Sequence, residues 1–150
     1  MTTSPHRSDS SEQRSAETII LRALGARIGA SLKDAEVLSI GTCPDGIDYD
    51  RKVIVEVFAR LGPLKAAQRH KLRADVLKLA YFDKELGSGW RKIICVVGQE
   101  AAAFLTGQSW TASAARSFEI EVILEPLPED HEALVRAAQA RQRMENGECP

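Results

Sequence analysis

Seven residues, Val53 to Ala59, constrain the fold more than any other part of the chain. The run VIVEVFA is short, β-branched and apolar, the composition of a strand buried on both faces. Its one acid, Glu56, shares a face with Ile54 and Phe58, because side chains alternate along a strand. An ionised carboxylate between two large apolar residues must be paired, hydrogen-bonded or bound to a cation. Gly62-Pro63 ends the strand, and a helix runs from Lys65 to Leu86, where Gly87 and Gly89 stop it. Lys92 to Val97, KIICVV, is another buried strand. A strand–helix–strand unit over 53–97 predicts a right-handed crossover and a parallel pair at the sheet centre.

The flanking segments fit the same architecture. Residues 1–15 are Ser/Thr-rich and almost free of large apolar side chains, and read as a disordered tail. A single domain then occupies 16–150. Its first helix runs from Glu17 to Ala30, with Ile20, Leu21, Leu24 and Ile28 at helical spacing. Val37 to Ile40 is a short strand, Cys43-Pro44-Asp45-Gly46 has turn chemistry, and Ile47 to Tyr49 is a second strand that reverses at Asp50-Arg51. After the crossover come a short helix over Gln99–Leu105, another capped by Ser109 and ending at Arg116, a strand over Phe118–Leu124, and a charged helix over His131–Glu145. The expected class is α/β, a mixed sheet flanked by helices.

Charge is uneven along the chain. Overall it is -1, but residues 60–92 carry nine Lys/Arg against three Asp/Glu, and residues 119–150 carry three Arg against eight Asp/Glu. The three cysteines are widely spaced and odd in number, which argues against a disulfide framework and a zinc site. Reduced thiols, no signal-peptide core and no run of transmembrane length point to a cytoplasmic protein without a membrane partner. The chain has no GxGxxG after a strand, no Walker A sequence and no GxSxG.

The candidate chemistry gathers around Glu56. A hairpin centred on Asp50-Arg51 pairs Tyr49 with Lys52, Asp48 with Val53 and Asp45 with Glu56, so Asp45 faces the same side as Glu56. A one-residue change in the loop would bring Asp48 round instead. On the following helix, Gln68, Lys71, Asp75 and Lys78 form one polar stripe beside the apolar seam of Leu72, Val76 and Leu79. Lys71 would deliver an ammonium near Glu56. The bland alternatives are a salt bridge from Glu56 to Arg60 or to a helix lysine, and an Asp75 pair with Lys71 or Lys78. Arg69 and Arg73 lie further round and suit phosphate contacts. His70, Leu77 and Tyr81 make a partly apolar side, fit for another helix or a second subunit.

Pro44-Asp45, then Glu56-Val57-Phe58, then a helix with Gln68 and Lys71 resembles the PD-(D/E)XK nuclease superfamily over about residues 17–98. The stretch EVFARLGPLKAAQRHKLRADVLKL is also similar to small bacterial proteins placed near that superfamily. The resemblance implies a restriction-endonuclease-like αβββαβ core and a nuclease that uses Mg²⁺ or Mn²⁺. It makes Asp45 (or Asp48) and Glu56 the metal ligands. It implies a lysine two residues after Glu56, where this chain has Phe58, so Lys71 becomes the substitute and Lys65 the reserve. Gln68 would hold the water or a ligand, and Glu17 would be an accessory acid. Lys65, Arg69, Arg73 and Lys78 would contact nucleic acid. A homodimer is the expected assembly, since many small nucleases of this kind need two sites to cut a duplex. The alternative on the same resemblance is a catalytically lapsed module that binds nucleic acid or a protein partner. An unrelated α/β assembly module is a third reading.

Overall fold

The apolar run VIVEVF forms β2 (Val53–Phe58) at the heart of the sheet, buried along its whole length. We describe the fold from a computed structural model, in which residues 7–33 and 41–145 are described. Before β2 come α1 (Arg7–Ile28) and β1 (Gly46–Asp48). After it come α2 (Ala66–Leu86), β3 (Arg91–Val96), α3 (Gln99–Thr106), α4 (Trp110–Ser117), β4 (Ile120–Leu124) and α5 (Glu129–Glu145).

Among the described residues the strands form one four-stranded sheet in the order β1-β2-β3-β4. β1 runs antiparallel to β2, and β2, β3 and β4 are parallel. The molecule is therefore an α/β domain with a mixed sheet, and the expected crossover pair is β2 with β3. The expected strand Val37–Ile40 lies outside the described residues. Beside β1, Lys33 exchanges two backbone hydrogen bonds of 3.1 Å with Ile47, so pairing on that edge extends past β1.

Strand alternation divides the core in two. Val53, Val55, Val57 and Ala59 join Ile93, Cys95 and Val97 on one face, packed by Ile20 and Leu24 of α1 and Val135 of α5. Ile54, Phe58, Ile94 and Val96 face the other way, against Leu72, Val76, Leu79 and Phe82 of α2 and the small helices α3 and α4. Gly46 lets α1 approach β1 closely: a Cβ there would stand 2.7 Å from a Leu21 methyl.

Two boundaries differ from the sequence reading. α1 begins at Arg7, so the expected tail boundary at residue 16 falls inside the helix. Between Arg7 and Leu24 there is no Pro or Gly, and nothing in that stretch interrupts helical hydrogen bonding. β4 starts at Ile120 rather than Phe118, because α4 keeps its last turn and Phe118 donates its N–H to Ala114. The Ser109 cap is as read, its hydroxyl accepting the N–H of Ala112 at 3.1 Å. No helix among the described residues is long and apolar enough to cross a membrane.

Candidate functional site

The hairpin register decides which acid joins Glu56. Gly46 pairs with Val55, Ile47 with Ile54 and Asp48 with Val53, as the turn at Asp50-Arg51 requires. Lys52 takes a left-handed backbone, φ 54°, to close that turn. Asp45, the next residue out from Gly46, therefore stands opposite Glu56 on the α2 face. Its Oδ2 accepts the N–H of Val57 at 2.8 Å, which fixes the carboxylate against β2.

Asp48 belongs to the other face and to the turn. Its pairing partner Val53 points toward α1. Its two oxygens accept the N–H groups of Ser31 at 2.9 Å and Arg51 at 3.1 Å. Those donors, Arg51 first, hold the carboxyl below its ordinary range. It does not share a face with Glu56, and it serves as a turn aspartate. Glu17 is carried on α1, in the layer opposite α2.

Glu56 is 1% exposed. Lys78 Nζ stands 2.9 Å from its Oε1, yet that buried oxygen has no donor in hydrogen-bond alignment. The contact pairs a buried carboxyl with a partly exposed ammonium. Burial, and secondarily the Asp45 charge, push the Glu56 carboxyl up to about 8, although Lys78 pulls the other way. Two turns earlier on α2, Lys71 Nζ donates to both oxygens of Asp75, at 2.8 and 3.0 Å. Asp75 is buried and its carboxyl is raised by that burial, against the pull of Lys71. Burial opposes the Lys71 charge, but the Asp75, Glu56 and Asp45 carboxylates outweigh it and raise the ammonium above its ordinary value.

The polar stripe read from the sequence is thus real, but its partners are shifted by two helical turns. Lys78, expected on nucleic acid, is the lysine on Glu56. Lys71 is half exposed, sits over Asp75, and lines a cavity of about 220 Å³ with Phe58, Arg60 and Gln68. The cluster holds three carboxylates (Asp45, Glu56, Asp75) and two ammoniums (Lys71, Lys78). With every group ionised it carries one negative charge in a largely buried place, which favours uptake of a proton or a cation.

The remaining expected residues have structural duties. Gln68 Oε1 accepts the N–H of Lys65 at 2.7 Å and so caps α2, which commits the oxygen expected to hold a water. Arg69 donates to the Leu64 carbonyl at 2.9 Å. Arg73 donates to Thr111 at 3.1 Å, with its guanidinium 5.2 Å from the Trp110 ring centroid and 5.7 Å from that of Phe104. It pins α2 to α3 and α4 and is not a free phosphate contact. Lys65 lines a second, basic cavity with Arg60, Arg136 and Arg143. Sequence reading missed the two arginines of that set on α5. Their signal was the spacing of Arg136, Gln139 and Arg143 at i, i+3 and i+7 within an otherwise acidic segment.

Fold and site define the class: a three-layer α/β domain with a buried acid–lysine cluster beside a basic cleft. Comparison with protein-family models, with curated proteins and with solved structures finds no match.

Proposed function

We propose that this domain is a metal-dependent nuclease, hydrolysing phosphodiester bonds of DNA or RNA on a restriction-endonuclease-like core. The observation that carries the reading is the β1–β2 register, which sets Asp45 across from Glu56 on the face that α2 lines with Lys71. A divalent cation fits the residues present. The cluster has one more carboxylate than ammonium, and burial keeps the Glu56 carboxyl raised even with Lys78 at 2.9 Å. Among the described residues no group of three His, Cys, Asp or Glu side chains stands ready to hold a metal. The ligands would therefore be the two carboxylates of Asp45 and Glu56, aided by backbone. Bound Mg²⁺ or Mn²⁺ supplies charge to a phosphoryl oxygen and acidifies a water.

The chain's own residues do the rest. Val57 N–H holds Asp45 in orientation. Asp75 anchors Lys71 and keeps its ammonium charged, half in solvent, where charge develops on a phosphoryl oxygen. Lys71 takes the duty of the lysine that Phe58 replaces. Lys78 stands against Glu56 and draws its carboxyl toward the charged form.

A second reading has its own support. Lys78 already provides Glu56 with a cation, and Phe58 fills the usual lysine position. A lapsed nuclease-like module that binds nucleic acid without cutting it would look the same.

Calorimetric titration of Mn²⁺ and Mg²⁺ into wild type and Glu56→Gln, beside nicking of plasmid and single-stranded substrates, separates the two. Metal binding and cutting by wild type, both lost in Glu56→Gln, support the nuclease. Wild type that neither binds metal nor cuts ends that reading. Salt-sensitive binding of nucleic acid without cleavage leaves the lapsed module. If Lys71→Ala cuts as fast as wild type, the lysine assignment is wrong.

A further inference from the structure

The second cavity lies where β2 ends, α2 begins and α5 crosses. It measures about 270 Å³ and is lined by Arg60, Lys65, Gln68, Arg136, Gln139 and Arg143, with Leu61-Gly62-Pro63 as its backbone wall. Four of those side chains are cationic and none is a carboxylate. Arg136 keeps one acidic neighbour, Glu132, at 2.9 Å along its own helix. Positive groups gathered around one concavity give it a potential that draws in an anion.

The wall is also held still. Gln139 accepts the Leu61 N–H at 3.0 Å and donates to the Leu61 carbonyl at 2.9 Å, so one side chain takes both backbone groups of that residue. Gly62 follows with φ 86°, a conformation that other residues adopt at a cost. α5 is thereby fastened to the strand end, and Arg136 and Arg143, on the same helix face as Gln139, are aimed at one place. A concavity with room for a phosphate and its ester, lined by several guanidinium donors and by no carboxylate, describes one ligand chemistry.

We propose that this cavity is a phosphate-binding site. Its ligand is a phosphate group, carried either by a nucleic-acid strand or by a free phosphate ester. Binding here requires neither the acid cluster nor a metal, so it goes beyond the nuclease reading. The two are joined by position, since Arg60 and Gln68 line both cavities. A strand with one phosphodiester beside Lys71 would set a neighbouring phosphate among the arginines.

The test uses the full chain in EDTA, where no hydrolysis takes place. Inorganic phosphate is titrated calorimetrically into wild type, Arg143→Gln and the double variant R136Q/R143Q, against sodium chloride of equal ionic strength. A single-stranded oligonucleotide with a 5′-phosphate is compared with its 5′-hydroxyl form by fluorescence anisotropy. We expect wild type to bind phosphate, and the double variant to lose about tenfold or more in affinity, with the single variant between them. Loss of the 5′-phosphate preference in the double variant assigns the ligand to a strand end. Loss of affinity for both oligonucleotide forms in the double variant assigns it to a phosphodiester within the strand, and phosphate binding through the same arginines with no change in oligonucleotide affinity assigns it to a free ester. The proposal is overturned if phosphate binds wild type no better than chloride, or binds wild type and the double variant alike. Because cleavage is not read, a failed nuclease assay leaves this outcome unaffected.

Discussion

The two faces of the central strands are equally buried and built to different rules. Toward α1 and α5, β2 and β3 present Val53, Val55, Val57, Ile93 and Cys95, all apolar. Toward α2 the same strands present Ile54, Glu56, Phe58, Lys92, Ile94 and Val96. Glu56 is matched by Lys78, and Lys92 by Asp83 at 3.2 Å, both partners on α2. A buried ion pair is often no more stabilising than apolar residues of similar volume, and replacing one is neutral or favourable by about 1–4 kcal/mol. The α1 face thus carries stability, while the α2 face carries charge that packing alone does not require.

The largest expected effect comes from exchanging the two rules. Val55→Glu puts a carboxylate on the apolar face, at a fully buried position packed by aliphatic side chains. It should cost more than about 4 kcal/mol and leave little folded protein. Glu56→Leu should stay within about 1 kcal/mol of wild type or gain stability, since Lys78 is 28% exposed and can turn its ammonium to water. Urea denaturation measures both. If the two substitutions destabilise equally, the faces do not differ as argued.

Lys78→Met is next. It keeps the length of the side chain but strands Glu56 without its cation and removes an ammonium 5.9 Å from the Phe82 ring centroid. About 2–4 kcal/mol should be lost at pH 9, where Glu56 is ionised. The loss should shrink at pH 6, where protonation relieves the burial. An effect independent of pH would mean that Lys78 acts through packing alone.

The pH dependence itself follows from one group. Glu56 is raised from 4.5 to about 8 on folding, so the folded state holds a proton that the unfolded state has released between those values. Stability from this group is full below pH 4.5 and falls as pH rises, levelling off above 8. One proton gives a limiting slope of about 1.4 kcal/mol per pH unit. Denaturation midpoints across pH 5–8 should show that fall, and Glu56→Gln should flatten it. Asp75 is shifted in the same direction by burial and should leave a residual slope in the variant.

Much of this contrast was legible in the sequence, and the reasons for the rest are physical. The period-two alternation of VIVEVFA put Glu56 alone among apolar residues, and the turn fixed Asp45 opposite it. Both are local rules. Which lysine reaches Glu56 is not local. It depends on where α2 lies along β2, and the choice fell on Lys78 rather than Lys71. Arg73 looked like a phosphate contact because its anchors, Trp110 and Phe104, are more than thirty residues away. The basic cavity was hidden by averaging, since residues 119–150 are acidic overall while one stripe of α5 is not.

The smallest expected effect isolates burial from distance. Arg91 and Glu121 join β3 to β4 through two hydrogen bonds, 2.7 and 2.9 Å long, and their side chains are 42% and 45% exposed. Lys78 and Glu56 lie equally close, at 2.9 Å. Coulomb energy at a given separation scales inversely with the dielectric, so water around the first pair weakens it several-fold. Its geometry is the better of the two, yet Arg91→Gln should cost no more than about 1 kcal/mol. That loss should fade in about 1 M salt, where screening acts within a few ångströms. At pH 9, where Glu56 is ionised, the Lys78–Glu56 coupling should survive the same salt, because ions cannot enter. Double-mutant cycles at low and high salt measure both terms. Two couplings that fade together would place Glu56 in contact with solvent and remove the buried charge on which the contrast between the faces depends.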